Sequence, residues 1–184
     1  MCHLFVHLPS ASLREIMTPE QRHYNMSRIR GKNTTPELKV RRWLHGHGYR
    51  YRVNVRKLHG TPDIVLAKYR TCIFINGCFW HGHDGCRYYT HPKTNVRFWE
   101  EKVSKNRLRD QIVTAKLESM RWKVITIWEC ELKGDRFEKT MEDLLVKMAR
   151  NREEWINGKE ARRKAIKTAT FEAKVRKAQA SSAA

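Results

Sequence analysis

The sequence predicts a single domain of the mixed α/β class. Its 184 residues match the length of one ordinary domain, and 40% of them are hydrophobic, which is a globular composition. Short apolar runs of strand length alternate with much longer stretches that have helical spacing. We therefore expect the element order α-β-β-β-α-β-α, with a mixed sheet flanked by helices.

The first predicted helix begins with Thr35 as its N-cap and Pro36 at its first helical position, followed by an acidic residue in the first turn. We expect it to end at Gly46 or Gly48. The next segment, residues 49–53, alternates apolar and charged side chains. That alternation predicts a strand with one face in solvent.

Three apolar runs predict the remaining strands. The first, residues 63–66, follows a turn over residues 60–62. The second, residues 71–75, is continuously apolar, which predicts a central strand buried on both faces. The third, residues 123–128, is predicted to be another buried strand.

Two long helices complete the predicted domain. One runs from Val96 to about Met120, and the other from Asp135 to about Trp155. Residues 77–95, which are rich in Gly, His, Cys and aromatic residues, are predicted to form the loop before the first of these helices.

The two ends of the chain differ from its centre. Residues 1–16 lack the features of a secretory signal, and we interpret them as a disordered leader. Residues 17–157 form the predicted domain and begin with a basic arm or short helix. Residues 158–184 consist mainly of Ala, Lys and Arg, which predicts a basic tail that is helical or disordered. No apolar run is long enough to span a membrane, and we expect a cytoplasmic protein.

The charge of the chain points to a polyanionic partner. There are 38 Lys and Arg residues against 19 acids, a formal net charge of +19. Nucleic acid is the commonest polyanion bound by proteins with such an excess of basic residues, and an anionic membrane surface is the alternative.

A cluster of Cys and His residues predicts a metal site. Cys78, His83 and Cys86 lie close together in the sequence, and Cys130 at the end of the last strand could complete a tetrahedral Cys3His zinc site. His81 has an equally suitable spacing, so the spacing alone does not decide which histidine binds. The alternative is a set of unrelated thiols, as we expect for Cys72 in the middle of a buried strand.

Two further features bear on function. Asp63 opens a strand, where nucleases that use a divalent cation hold Mg²⁺, although Pro-Asp is also ordinary turn chemistry. Phe79, Trp80 and Trp99 lie in or beside a basic loop. They suit stacking on bases or wedging into a duplex, and they suit packing around a zinc loop equally well.

Five segments in order carry a resemblance to a known family. They are PEL-x4-L (36–44), GTPDIV (60–65), IFINGCFWHGH (73–83), FW-x2-K-x3-N-x3-D (98–110) and W-x5-WEC (122–130). Over residues 18–156 the chain resembles the very-short-patch-repair (Vsr) mismatch endonucleases. The resemblance implies a restriction-endonuclease-like fold. It also implies nicking of one DNA strand at T:G mismatches left by deamination of 5-methylcytosine, which starts very short patch repair.

The resemblance also implies catalytic roles. Asp63 and the main-chain carbonyl of Ile75 would bind Mg²⁺, and Glu37 would bind the same ion through water. His81 would be the catalytic histidine, oriented by Asp110. The usual Glu-x-Lys of related nucleases is absent here, since the corresponding strand reads Phe-Ile-Asn over 74–76.

The resemblance implies two groups of binding residues and one further residue on its own. The structural zinc ligands would be Cys78, His83, Cys86 and Cys130. The aromatic residues beside the mismatch, in the major groove, would be Phe79, Trp80 and Trp99. Met26, in the basic N-terminal segment, would lie across the minor groove.

The partner expected from charge and resemblance together is double-stranded DNA, bound by a monomer in the nucleoid of a bacterium. Mismatch-repair proteins are a further class of partner. Two other readings stay open. One is a nuclease of the same fold with another DNA target, as in restriction or defence. The other is a non-catalytic zinc module that binds DNA and needs neither Asp63 nor His81.

Overall fold

The computed structural model describes residues 18–28 and 31–182. The predicted leader, residues 1–16, lies outside the described residues. Helix α1, Pro19–Ser27, belongs to a separate N-terminal unit that ends at Asn33. Its start is capped reciprocally, because Thr18 N donates to Gln21 Oε1 (2.8 Å) and Gln21 N donates to Thr18 Oγ1 (3.3 Å).

The second unit, from Thr34 onward, contains the remaining elements. Its helices and strands are α2 (Thr35–Gly46), β1 (Ile64–Leu66), β2 (Thr71–Asn76), α3 (Val96–Ser119), β3 (Lys123–Trp128) and α4 (Arg136–Ser182). Short 3-10 turns follow β1 and β3. Strands β1 and β2 are antiparallel and β2 and β3 are parallel. The predicted α/β class, with a mixed sheet flanked by helices, is therefore confirmed.

Helices cover both faces of the sheet. Residues from α2 and α4 pack on one face, around Ile64, Ile73 and Ile125. On the other face, Leu117 of α3 packs against Val65 and Cys72. Cys72 is a buried core residue, as predicted, and burial raises the pKa of its thiol to about 12.

Three predictions of local structure were wrong. The N-cap of α2 is Thr34, because Glu37 then lies at the third helical position and accepts hydrogen bonds from the Thr34 N and Oγ1 atoms. Residues 49–53 form only a bridge between Arg52 and Val65, because the left-handed conformation of Asn54 (φ 48°) turns the chain away. Strand β3 is buried only at Ile125 and Ile127, while Lys123 and Thr126 are exposed, since it is an edge strand of the sheet.

Helix α4 does not end near Trp155 but continues to Ser182, a total of 47 residues. Of the two states predicted for the basic tail, helical or disordered, the helical one is therefore observed up to Ser182. The last buried residue of α4, among those whose side chains are described, is Asn151, whose amide donates to Thr71 Oγ1 (3.0 Å) on β2. Among residues 18–28 and 31–182, no helix has the length and apolar character needed to cross a membrane.

Candidate active site and metal centre

The strand register brings separate segments to one edge of the sheet. Asn76 pairs with Trp128 in the parallel β2–β3 ladder, so Cys78 and Cys130 each follow the last paired residue by two positions. Because β1 runs antiparallel to β2, Asp63, which precedes β1, lies at the same edge. The carboxyl ends of β2 and β3 and the start of β1 therefore meet where the candidate residues are concentrated.

Asp63 is fixed against β2 by a hydrogen bond. The backbone N of Ile75 donates to Asp63 Oδ2 over 2.8 Å. The pKa of the Asp63 carboxyl is raised to about 6, chiefly by burial and also by the nearby Glu37 carboxylate. The hydrogen bond from Ile75 and the charges of Arg41 and His81 act in the opposite direction. Asp63 is thus a desolvated carboxyl with a second acid nearby, an arrangement that a divalent cation would stabilise.

Glu37, on α2, is near Asp63 and forms a buried ion pair with Arg41. Arg41, four residues later on α2, donates from Nη2 to Glu37 Oε2 (2.8 Å), and both side chains are almost fully buried. The same Nη2 also donates to the main-chain carbonyl of Asp63 (3.0 Å). Sequence reasoning did not select Arg41, although its (i, i+4) spacing from Glu37 is a recognisable signal.

His81 and Asp110 form a second pair. His81 Nδ1 lies 2.5 Å from Asp110 Oδ2, and the side chains are 19% and 34% exposed. A hydrogen on Nδ1 donated to the carboxylate leaves the lone pair on Nε2. The pair therefore presents a basic nitrogen of fixed tautomer at a partly exposed position.

Helix α3 also holds the main chain around His81. Asn106, which is buried, donates from Nδ2 to the Trp80 carbonyl (2.7 Å). Arg107 donates to the carbonyls of His81 (3.4 Å) and Gly82. Gly82 has φ +61°, and a Cβ there would lie 2.5 Å from Val103 Cγ1, so only glycine fits this close approach. Sequence reasoning assigned no role to Asn106 or Arg107, because the contacts link segments far apart in the chain.

The Cys/His cluster is assembled as a candidate metal centre. The ligand atoms of Cys78, His83, Cys86 and Cys130 all lie within 4.8 Å of one another. His83 Nδ1 lies 3.6 Å from Cys78 Sγ and 3.4 Å from Cys130 Sγ. The structure thus brings His83 to the thiols, whereas His81 faces Asp110.

The surroundings of this cluster restrain its ligands. The His83 ring stacks on Trp128, with centroids 4.0 Å apart and planes at 4°. The pKa of the Cys130 thiol is raised to about 12, chiefly by burial and also by its hydrogen bonds with Cys78 and Cys86. Since thiolates and not thiols bind metals, a metal ion would have to displace these protons, and the cluster could hold one.

The three candidate aromatic residues form one partly exposed group. Phe79 lies 5.3 Å from Trp80 and 5.1 Å from Trp99, and the two tryptophans lie 5.8 Å apart, all in edge-to-face contact. They pack on one another next to the metal cluster and remain partly open to solvent. Met26 is exposed on α1, in the separate N-terminal unit.

Comparison with known proteins shows that this chain is similar to several endonucleases. A family model described as DNA mismatch endonuclease Vsr matches residues 14–87. The chain is 47% identical over 116 residues to the type II nicking enzyme V.XorIIP of Xanthomonas oryzae pv. oryzae, covering 63% of this chain and 85% of the relative. It is 47% identical over 122 residues to the type II nicking enzyme V.NmeAIP of Neisseria meningitidis, covering 66% and 86%. It is 39% identical over 140 residues to the DNA mismatch endonuclease Vsr of Escherichia coli, covering 76% and 86%.

Fold, site and relatives together define the class of the protein as an endonuclease, a hydrolase built on a mixed α/β sheet with a Cys/His cluster that could hold a metal. The family within this class can also be stated, because the relatives are matched over most of their length. The chain belongs to the Vsr family of DNA mismatch endonucleases.

Proposed function

We propose that this endonuclease nicks one strand of duplex DNA at T:G mismatches left by deamination of 5-methylcytosine, the first step of very short patch repair. The observation that carries the proposal is the meeting of three features at one sheet edge. These are the desolvated carboxyl of Asp63, the His81–Asp110 pair and the partly exposed aromatic group. The similarity to the mismatch endonuclease of E. coli supports the choice of substrate.

Two metals fit the residues present. Asp63 and the carbonyl of Ile75 offer the oxygen ligands that Mg²⁺ prefers. Glu37, whose carboxylate is near Asp63, would bind the same ion through water. Three thiols and one imidazole are a soft donor set that suits Zn²⁺. Ligands bound tetrahedrally at 2.0–2.3 Å lie about 3.5–3.8 Å apart. The Cys78–His83 and Cys130–His83 separations of 3.6 and 3.4 Å agree with that spacing.

The protein's own residues account for most of the proposed mechanism. Mg²⁺, when bound, supplies Lewis-acid stabilisation of the charge that develops on the scissile phosphate. His81 Nε2 accepts the proton of the attacking water, and Asp110 holds the imidazole in the required tautomer. The Cys/His cluster has four protein ligands and leaves no position for water, so its role is to fix the loop that carries Phe79, Trp80 and His81.

The aromatic group supports a preference for mismatches. Inserting Phe79, Trp80 and Trp99 beside a base step costs a few kcal/mol of unstacking. A mismatched pair is already less well stacked and paired, so the cost is smaller there. The difference favours binding at the mismatch over binding at matched duplex.

The test is a nicking assay on T:G and matched duplexes with Mg²⁺ or EDTA. We expect Mg²⁺-dependent nicking of the T:G duplex only. Asp63→Asn should nearly abolish nicking while duplex binding persists, and His81→Ala should slow nicking by about 10²–10⁴-fold. His91→Ala, which changes an exposed histidine in the same loop, is the matched control and should nick at the wild-type rate.

A second candidate function is a nuclease of the same family with another DNA target. It is favoured by the names of two relatives, which are type II nicking enzymes. A panel that adds other mismatches and modified duplexes distinguishes the two, since nicking of one of these in preference to T:G would replace the proposed substrate. Duplex binding without nicking of any substrate would contradict both and indicate a non-catalytic zinc module.

A further inference from the structure

A cluster of basic side chains surrounds Tyr88, next to the Cys/His cluster. We call Arg87, Tyr88, Lys133 and Arg136 the Tyr88 cluster. The Arg87 Cζ lies 4.9 Å, the Lys133 Nζ 4.2 Å and the Arg136 Cζ 5.9 Å from the centre of the phenol ring. Two separate segments supply these residues: one follows Cys86 and the other follows Cys130. Three cations from different parts of the chain thus converge on one partly buried tyrosine.

Among the described residues, a carboxylate pairs with only one of the three cations of this cluster. Lys133 pairs with Glu129 over 3.0 Å. Neither Arg87 nor Arg136 makes an ion pair with any carboxylate in the described parts of the chain. Arg136 is also the first residue of α4, where the helix dipole disfavours a cation. Both arginines are exposed, so they are available to an anion from outside.

The hydrogen-bonding groups of the cluster are chiefly donors. Arg87 Nη2 donates to the Tyr88 hydroxyl (2.7 Å), which leaves the phenol hydrogen to be donated outward. Two guanidinium groups and one ammonium group add further donors and no acceptors. Guanidinium and hydroxyl donors of this kind are common contacts of phosphate oxygens in protein–DNA interfaces.

The position of the cluster relative to the catalytic residues is fixed by the loop. The backbone N of Tyr88 donates to Cys86 Sγ (3.4 Å), one of the four atoms of the metal cluster. A phosphate held by Tyr88 would therefore have a set distance from Phe79 and Trp80, which follow Cys78 in the same loop.

We propose that the Tyr88 cluster binds a backbone phosphate of duplex DNA outside the scissile position. The proposal rests on the proposed function only in taking DNA as the polyanion. A phosphate contact carries no base information, so this surface contributes affinity and register and does not contribute to mismatch preference.

The experiment compares two double variants of the full-length protein. Arg87→Gln/Arg136→Gln removes two charges from the cluster, and Lys147→Gln/Arg152→Gln removes two from exposed positions farther along α4. Affinity for T:G and matched duplexes is measured over a range of salt concentrations. We expect the cluster variant to bind both duplexes about tenfold more weakly, with a salt dependence reduced by about one in the log–log slope, as for the loss of one phosphate contact. Nicking at saturating enzyme should keep its wild-type rate.

The controls separate this proposal from simpler explanations. Thermal unfolding and metal content of each variant show that the fold and the Cys/His cluster are intact. An equal loss of affinity in both double variants would mean that only net charge matters, and it would overturn the proposal. Inorganic phosphate is added without DNA to test for a free-anion site. If it protects the wild type, and not the cluster variant, against thermal unfolding while both proteins bind duplex equally well, the cluster binds a free anion and the proposal is overturned. Failure to nick T:G with cluster-dependent binding retained would contradict the proposed function alone.

Discussion

The carboxyl of Asp63 makes the stability of the metal-free protein depend on pH. Burial raises its pKa from the usual 3.8 to about 6, so the folded chain binds a proton more tightly than the unfolded chain. Stability contributed by the neutral form is therefore lost as pH rises from about 4 to about 6, and the loss is complete above that window.

Asp63→Asn should reverse this loss. The amide oxygen can still accept the hydrogen bond from Ile75 N and carries no charge. At pH 7.5 without metal, we expect the variant to be more stable than wild type by up to about 3 kcal/mol, with the difference vanishing near pH 4. Urea unfolding across pH measures it, with exposed Asp143→Asn as the control. A less stable Asp63→Asn at pH 7.5 would show that the carboxylate stabilises the apo fold.

Substitutions of the two loop histidines should have different effects on the zinc content of the protein. His81 faces Asp110, and His83 lies among the thiols. We expect purified His83→Ala to lose most of its zinc and His81→Ala to keep about one equivalent while losing activity. Elemental analysis with a nicking assay gives both values for each variant. The opposite pattern would mean that ligand and catalyst are exchanged.

These same histidines show what the sequence cannot provide. Both have an acceptable spacing from Cys78, and only the direction of each ring decides between them. Arg41, Asn106 and Arg107 were missed for a related reason, since their partners lie on other elements and no local pattern records the contact. The types of the candidate residues could be predicted, and their individual contacts could not.

Among the elements, strong local signals led to correct predictions and weak ones to errors. The apolar runs of β1 and β2 and the long periodic stretch of α3 are formed close to the predicted limits. The predicted strand over 49–53 failed because alternation over five residues needs a partner strand, and β1 offers only three residues. The end of α4 was predicted near Trp155 because the Lys, Arg and Ala residues that follow continue a helix without any apolar face to mark it.

The Cys/His cluster should contribute to folding by tying the loop to the end of β3. Cys130→Ser removes one thiolate, and we expect zinc content and stability to fall together, by about 4 kcal/mol or more for loss of a structural metal. Cys72→Ser is the matched control, since this buried thiol lies outside the cluster and should lower stability without lowering zinc content. Zinc-free wild-type protein of undiminished stability would contradict a structural role.

Across the whole molecule, chain topology creates the site. One parallel and one antiparallel pairing bring residues 63, 78 and 130 to a single edge, although they are widely separated in sequence. Strand order and register depend on long-range packing of the two core clusters, so periodicity alone could not supply them. The family resemblance supplied the grouping, through the order of its five motifs.

The basic C-terminal part of α4 should strengthen DNA binding without directing it. Residues 158–184 carry eight of the 38 Lys and Arg residues and two of the 19 acids. The last buried residue of α4, among those whose side chains are described, is Asn151, so a chain ending at residue 157 keeps the described core.

We expect this truncation to weaken binding to every duplex and to lower the log–log salt slope by at most about five, while the ratio of T:G to matched affinity stays constant. A full-length variant with Lys159, Arg163, Lys164 and Lys167 changed to Gln separates lost charge from lost helix, and it should reproduce most of the effect. Fluorescence anisotropy at several salt concentrations measures both proteins. If the truncated chain loses its preference for the mismatch, recognition extends into α4 and the domain does not end at residue 157.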